Sequence, residues 1–138
     1  LNNDAYEALK KMIDAMPNEI ANDFYVREAY TSFTDLQYSN PNLAGKDERQ
    51  LGHTVSIASK SIAYHEFETA ALSQWLEAHS YEYGFILRYP KRMASSTNHV
   101  YDAHYYRYVG KKNANKIYKE NSCIEEYNQK EAAEWKKL

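Results

Sequence analysis

The sequence has one cysteine, three prolines, four glycines and no surplus of positive charge, and these shortages exclude several classes of protein. A single cysteine, Cys123, rules out an intrachain disulfide and a zinc site built from several thiolates. No run approaches the ~20 apolar residues that cross a bilayer, so no membrane span is predicted in this segment. The formal net charge of −2 provides no overall cationic field for phosphates, so nucleic acid is not an expected partner.

What the chain does have is a moderate hydrophobic share in which tyrosine far outnumbers phenylalanine. Hydrophobic residues make up 43% of the 138 residues, and 14 tyrosines stand against four phenylalanines. This length and composition predict one globular domain over residues 1–138, in which each buried tyrosine hydroxyl needs a partner. The chain begins at Leu1 without Met, which indicates a mature or trimmed segment.

Hydrophobic spacing predicts alternating helices and strands. Apolar residues at three- and four-residue steps predict a helix that is capped by Asn3 or Asp4 and ended by Pro17, and a second helix from Phe67 to His79. Strands are predicted at 24–26, 54–57, 85–89 and 99–109, a short helix at 33–38, a loop at 91–98, and late helices at 110–118 and 124–135. This order of elements, with neighbouring strands late in the chain, indicates an α+β fold.

Three sequence blocks carry a resemblance to a known family. They read DERQLGHTVSI at 47–57, YGFILRYP at 83–90 and YYRYVG at 105–110. In order and spacing they resemble the VanY-type D-alanyl-D-alanine carboxypeptidases, zinc enzymes of bacterial cell-wall metabolism, and the likeness extends from Val26 to Tyr127. The resemblance implies a hedgehog/DD-peptidase-like fold, with a small antiparallel sheet packed with helices. It also implies an extracytoplasmic location, in the cell envelope or spore of a bacterium.

The resemblance places the family's catalytic positions on residues of other types. The family motif S-x-H-x-x-G-x-A-x-D supplies a His and an Asp ligand of zinc, and E-P-W-H supplies the general base and the last His ligand. Three protein ligands leave one zinc position open for water. On this chain the ligand positions hold Arg49, Ser56 and Tyr105, the base position holds Asp102, and the arginine of a Tyr-Arg-Ser motif, a substrate or oxyanion contact, is Thr31.

These replacements remove the electron-pair donors that zinc needs. A guanidinium is permanently protonated, a serine hydroxyl is a poor ligand, and a tyrosine phenol has to lose a proton with a pKa near ~10. We therefore expect no zinc or other cofactor, and we predict an inactive domain that binds a peptidoglycan stem peptide or a cell-envelope protein. The expected cleft residues are Arg49, Ser56, Arg88, Asp102, Tyr105, Tyr106 and Arg107.

Two other functions remain open on the same residues. An active metallo-D,D-carboxypeptidase would need relocated ligands, for which the candidates are His53, His99, Asp102 and His104. His104 occupies the tryptophan position of E-P-W-H, and a shift of one residue along a strand reverses the face. The other alternative is an envelope or spore scaffold with no peptide ligand. For an inactive domain, one hypothesis is that the Arg49 guanidinium reaches toward Asp102 and replaces the metal electrostatically. The alternative is that Arg49 faces solvent and pairs with Glu48 or Asp47.

Overall fold

The computed structural model describes residues 1–29 and 51–137. The α-helices are α1 (Asn3–Ala15), α2 (Asn18–Asp23), α3 (Ala71–His79), α4 (Ala94–Thr97), α5 (Lys111–Lys119) and α6 (Ile124–Lys136). The strands are β1 (Phe24–Glu28), β2 (Thr54–Ser59), β3 (Phe85–Tyr89) and β4 (Asp102–Tyr108), and two 3-10 helices span Tyr64–Thr69 and Ser80–Tyr83. Within these ranges, no helix combines the length and apolar character needed to cross a membrane.

The four strands form one antiparallel sheet in the order β1-β2-β4-β3. In the register between β2 and β4, Ser56 is opposite Tyr105, Val55 is opposite Tyr106 and Thr54 is opposite Arg107. Directly opposed residues share a face, and successive residues alternate between faces. Ser56 and Tyr105 therefore project from one face of the sheet and Val55 and Tyr106 from the other.

Each face of the sheet carries a hydrophobic cluster. The main core is formed by one face of the sheet together with α1 and α3. Its fully or nearly fully buried members are Leu9, Met12, Met16, Val55, Ile57, Phe67, Ala70, Leu72, Leu76, Phe85 and Tyr106. The opposite face carries a smaller cluster, in which Ile86 packs against Ala114 and Ile117 of α5. The α+β prediction, with a small antiparallel sheet packed with helices, is confirmed.

The helix predicted to end at Pro17 is present, and its cap lies one residue earlier than expected. The Asn2 side-chain oxygen accepts a hydrogen bond from the Ala5 N–H at 2.9 Å, which satisfies one of the free donors of the first turn. The chain leaves the helix at Met16, which is extended. A proline next in sequence disfavours the helical conformation of the residue before it, so Pro17 accounts for this end.

The helix predicted from Phe67 to His79 is shorter than expected. Ala70 is extended, with φ −70° and ψ 144°, and it separates a 3-10 helix from α3, which begins at Ala71. The bend allows Phe67 to enter the main core, where it is 1% exposed. Apolar periodicity does not reveal this interruption, because residues on both sides of the bend are buried.

Other boundaries also differ from the prediction. The last strand begins at Asp102 rather than at residue 99, and the predicted loop at 91–98 contains α4, which ends at the left-handed Asn98. Strand β3 has the predicted bounds. The short helix predicted at 33–38 lies outside the described residues.

Gly84 joins the helical layer to β3 at a position where only glycine fits. Its φ is +89°, and a Cβ there would lie 2.7 Å from Cε1 of Tyr108. The Gly84 carbonyl accepts a hydrogen bond from the Val109 N–H at 2.8 Å. The start of β3 is thereby held close to the end of β4, which fixes the register of the strand that carries the candidate site residues.

Candidate functional site

Ser56 and Tyr105, two of the positions that the resemblance assigns to zinc ligands, lie side by side on the sheet. They are directly opposed residues of β2 and β4. Opposed side chains of an antiparallel pair have Cβ atoms about 4.5–5.5 Å apart. Ser56 is 8% exposed and Tyr105 is half-buried, so both belong to a partly enclosed face rather than to open surface.

Asp102, at the position of the general base, opens β4 on the same side of the molecule as the end of β3. Its Cα partner is Tyr89, and the register shifts between Leu87 and Tyr89. The Asp102 Oδ1 atom accepts a hydrogen bond from the His104 N–H at 2.9 Å. The carboxylate thus fixes the local conformation where β4 begins, three residues before Tyr105.

His104 turns away from the candidate site and into the main core. Its ring is 5% exposed and lies between the rings of Tyr64 and Phe67, at centroid distances of 3.8 and 4.3 Å. The Nδ1 atom is 2.6 Å from the Ile57 carbonyl oxygen, and Nε2 is 2.8 Å from the Tyr64 carbonyl oxygen. The predicted reversal of face at this residue is confirmed, and both ring nitrogens lie within hydrogen-bonding distance of backbone carbonyl oxygens.

A row of aromatic rings connects the Tyr105 side chain to the loop before β4. Tyr89 stacks on Tyr105 at a centroid distance of 5.5 Å and on His99 at 3.9 Å. The His99 Nδ1 atom is 2.7 Å from the Val100 carbonyl oxygen. The phenol at a zinc-ligand position is therefore part of a ring stack, and His99 is fixed by that stack and by a backbone contact.

Arg88, an expected cleft cation, is bound within the chain by Glu125 of α6. Its guanidinium donates two hydrogen bonds to the Glu125 carboxylate, at 2.9 and 2.8 Å, and the two side chains are 10% and 28% exposed. Burial alone would raise the pKa of Glu125, but hydrogen bonds from Arg88 and the charges of Arg88 and Arg107 outweigh it, so this pKa lies below its ordinary value. The pair ties the C-terminal helix to the sheet face that carries Ser56 and Tyr105.

Tyr106 does not belong to the cleft, and the expectation that it contacts a ligand is wrong. It is fully buried, and burial raises the pKa of its phenol well above the ordinary value. The reason is strand alternation, because residue 106 shares the core face with His104. Arg49 and Thr31 lie outside the described residues, as does the expected contact between Arg49 and Asp102.

The described residues do not fit a zinc ion. In residues 1–29 and 51–137, no three His, Cys, Asp or Glu side chains come close enough together to hold a metal. The alternative set of His53, His99, Asp102 and His104 is therefore not assembled. The two described ligand positions offer a serine hydroxyl and a tyrosine phenol, which are not among the usual zinc ligands.

Glu125 is the site residue that sequence reasoning missed. The signal for it was Arg88 itself, an arginine inside the apolar run 85–89, because a buried guanidinium requires a carboxylate or several acceptors. The sequence does not identify which carboxylate, since Glu125 lies 37 positions away and is followed by a second glutamate.

Comparisons with known families and curated proteins match most of this chain. A family model described as VanY, D-alanyl-D-alanine carboxypeptidase, matches residues 36–111. A putative carboxypeptidase of Bacillus subtilis, YodJ, is 37% identical over 89 residues, which cover 62% of this chain and 33% of the relative. A D-alanyl-D-alanine carboxypeptidase of Enterococcus faecalis is 34% identical over 124 residues, covering 88% of this chain and 44% of the relative. The chain thus spans less than half the length of these two relatives.

Solved structures share the arrangement of helices and strands. The LdcB LD-carboxypeptidase, whose structure concerns peptidoglycan recognition, superposes with a TM-score of 0.83 and 28% identity over 94% of this chain and 68% of that one. VanYB in complex with D-alanine-D-alanine gives a TM-score of 0.77 and 25% identity, covering 94% and 82%. A mutant of the D,D-pentapeptidase VanY from a VanB-type resistance cassette, in complex with Zn(II), gives a TM-score of 0.75 and 26% identity. The match covers 92% of this chain and 83% of that one.

Proposed function

Because this chain belongs to the VanY family of D-alanyl-D-alanine carboxypeptidases, we propose that it is a member that no longer hydrolyses peptides and instead binds a peptidoglycan stem peptide. The fold places two of the family's ligand positions, Ser56 and Tyr105, opposite each other, and neither side chain is a usual zinc ligand. The proposal is that the cleft at these positions still accepts the family's peptide although the hydrolytic chemistry is lost.

The proposal depends on one observation, the direct opposition of Ser56 and Tyr105 across β2 and β4. Two ligand positions are adjacent, as a metal site requires, but neither side chain is an effective ligand at neutral pH. A serine hydroxyl stays protonated there, and the ordinary pKa of a phenol is near ~10. The sequence adds Arg49 at the third ligand position, a fixed cation where a dication would have to bind.

In this proposal the peptide would be bound by polar groups at the family's site positions and on the strand beside them. Ser56 and Tyr105 offer hydroxyl donors and acceptors, and Arg49 offers a guanidinium for a peptide carboxylate. Arg107 projects from the same face two residues beyond Tyr105, because it is opposite Thr54 in the register. Arg88 has an indirect role in this proposal, because its guanidinium already binds Glu125.

The comparisons support the ligand class and the location. VanYB was solved with D-alanine-D-alanine, and the LdcB structure concerns peptidoglycan recognition. A ligand derived from peptidoglycan is found outside the cytoplasm, so the proposed site of action is the cell envelope.

Metal content is the first test of the proposal. Elemental analysis of purified protein should find zinc well below one ion per chain, and a peptide ending in D-Ala-D-Ala should not be hydrolysed. A variant carrying Arg49→His, Ser56→Asp, Asp102→Glu and Tyr105→His restores the family donors and should bind close to one zinc per chain. A control variant introduces the same three ligand residues, two His and one Asp, at exposed positions. It carries Arg92→His, Ser95→Asp and Tyr118→His, and it should not bind zinc stoichiometrically.

Stoichiometric zinc in the wild-type chain together with peptide hydrolysis would overturn the proposal. Isothermal titration with stem peptide tests separately whether the chain binds the peptide. Saturable heat without product release supports it, and Tyr105→Ala should weaken that binding. Absence of heat at millimolar peptide would reject the peptide ligand and leave a cell-envelope protein as the partner to be sought.

A further inference from the structure

A cavity of about 470 Å³ lies along the outer edge of β3, the strand at one end of the sheet. We call it the edge pocket. Three consecutive β3 residues, 85–87, line it and no residue of β4 does, so it lies on the side of β3 away from β4. Its volume falls within the ~300–1,000 Å³ range of small-molecule sites. Neither Ser56, Asp102 nor Tyr105 lines it, so it is separate from the candidate site.

The backbone of β3 directs polar groups into this pocket. In an antiparallel pair, alternate residues point their N–H and C=O toward the partner strand. The Gly84 carbonyl accepts a hydrogen bond from the Val109 N–H at 2.8 Å, so the backbone groups of Gly84 and Ile86 face β4. Those of Phe85 and Leu87 therefore face the outer edge, where both residues line the pocket. In the part of the chain that the structure describes, β4 is the only strand paired with β3.

Leu87 is half-buried, and its outward N–H and C=O are the edge groups that a ligand can reach. A strand edge binds ligands that supply a donor for the carbonyl and an acceptor for the N–H. A ligand with an amide N–H beside a hydroxyl meets both needs at once, since the amide donates to the carbonyl and the hydroxyl oxygen accepts from the N–H.

A pair of stacked tyrosines forms another wall of the pocket. The rings of Tyr81 and Tyr118 have centroids 3.9 Å apart and planes that differ by 9°. Tyr81 covers one face of Tyr118, yet 46% of Tyr118 stays exposed. A phenol combines a broad apolar surface with a polar hydroxyl. A sugar ring has the same combination, with C–H groups on its faces and hydroxyls around its rim, so it matches this wall.

Glu77 of α3 adds a carboxylate acceptor for sugar hydroxyls. It lines the pocket and forms no ion pair with any described residue. Burial raises the pKa of Glu77, although the charge of Lys91 acts in the opposite direction. Hydrogen bonds from hydroxyls stabilise a carboxylate that is partly removed from water. Ser80 and Asn121 supply uncharged polar groups, and Ile117 supplies apolar surface for a short acyl group.

We propose that the edge pocket binds an N-acylated amino sugar, with its ring against the tyrosine pair, its amide at the Leu87 backbone and its acyl group at Ile117. The proposal goes beyond the proposed function, because it concerns a sugar at another place on the sheet. It does not depend on whether the chain hydrolyses or binds peptides.

The test is an NMR titration of the 15N-labelled chain with N-acetylglucosamine. Glucose has the ring without the amide, N-methylacetamide has the amide without the ring, and trialanine is an extended peptide that could pair with the same edge. N-acetylglucosamine should give saturable shifts centred on Leu87 and Asn121, and it should do so at a lower concentration than any of the three comparison compounds.

Two exposed substitutions locate the sugar. Tyr118→Ala should weaken binding of N-acetylglucosamine by about tenfold, since it removes the ring contact, and Tyr6→Ala, at another exposed helical tyrosine, should bind as the wild type. Glu77→Ala should weaken binding severalfold, whereas Glu7→Ala, an exposed glutamate outside the pocket, should not. Should Tyr118→Ala not fold, Glu77→Ala still decides the question.

Three results would overturn the proposal. One is that N-acetylglucosamine gives no saturable shifts up to tens of millimolar. Another is that glucose, N-methylacetamide or trialanine binds at least as tightly, because the pocket would then not require a ring and an amide together. The third is that the Tyr118 and Glu77 variants bind no differently from their controls.

Discussion

Replacing Glu125 with glutamine tests whether one ion pair holds α6 against the sheet. The Arg88 guanidinium donates two hydrogen bonds to the Glu125 carboxylate at 2.9 and 2.8 Å, which is the paired geometry of strong charge-assisted contacts. Glutamine keeps the shape and one acceptor oxygen but removes the negative charge. Arg88 would then be a nearly buried cation that has lost the Glu125 carboxylate.

The structure sets the expected cost of this change. Removing one partner of a fully buried ion pair costs about 3–5 kcal/mol, because the other charge stays desolvated. Arg88 is 10% exposed but Glu125 is 28% exposed, so solvent screens part of the penalty. We expect Glu125→Gln to lower the free energy of unfolding by about 2–3 kcal/mol, a large part of the ~5–15 kcal/mol of a typical domain.

The same pair predicts a change in the acid dependence of stability. The pKa of Glu125 is lowered in the folded chain, so its contribution is fully present above the unfolded value of ~4.3 and is lost as the pH falls through the folded value. The difference between wild type and Glu125→Gln should therefore be constant near neutral pH and should shrink below about pH 4.

Urea denaturation at several pH values measures both effects. The matched control is Glu120→Gln, which breaks the exposed Lys130–Glu120 pair at the same 2.8 Å distance and should change stability far less. Combining Arg88→Met with Glu125→Met should recover much of the loss, since it removes both charges together. A Glu125→Gln cost no larger than that of Glu120→Gln would refute the reasoning.

Two further substitutions probe the elements that orient β4. His104→Phe keeps a ring in the stack but removes the contacts of the ring nitrogens with two backbone carbonyls, so we expect a loss of about 1–3 kcal/mol in urea denaturation, whereas the exposed His65→Phe should be near neutral. Gly84→Ala should have a much lower midpoint of thermal unfolding than its control, Gly110→Ala. Both glycines have positive φ, but only at Gly84 would the new Cβ contact Tyr108, at 2.7 Å from Cε1. Equal midpoints for the two alanine variants would show that backbone strain alone decides their stability.

Sequence reasoning worked where one local pattern decides the structure. The apolar run 85–89 forms β3 with the predicted bounds. Val55 and Ser56 lie on opposite faces of the sheet, as alternation along a strand requires, and the same rule correctly predicted that His104 faces away from the Tyr105 side. The same alternation also excludes Tyr106 from the cleft, because residues two apart on a strand, such as 104 and 106, point to the same face.

Sequence reasoning failed where contacts between residues far apart in the chain determine the structure. The bend at Ala70 exists because Phe67 packs in the core formed by α1 and the sheet, which the local apolar stripe does not encode. The partner of Arg88 is Glu125, and no local pattern distinguishes it from the glutamate that follows. Such partners depend on how α6 crosses the sheet.

Strand β4 explains how a site of this family can change its chemistry while the fold persists. Tyr105 projects to the site face, whereas His104 and Tyr106 on either side of it project into the core, where each is at most 5% exposed. A substitution at residue 105 therefore leaves the His104 ring stack and its two backbone contacts untouched. The same holds on β2, where Ser56 lies between the core residues Val55 and Ile57. Point substitutions on the site face can thus exchange zinc donors for hydroxyls while the main core, on the other face, is unchanged.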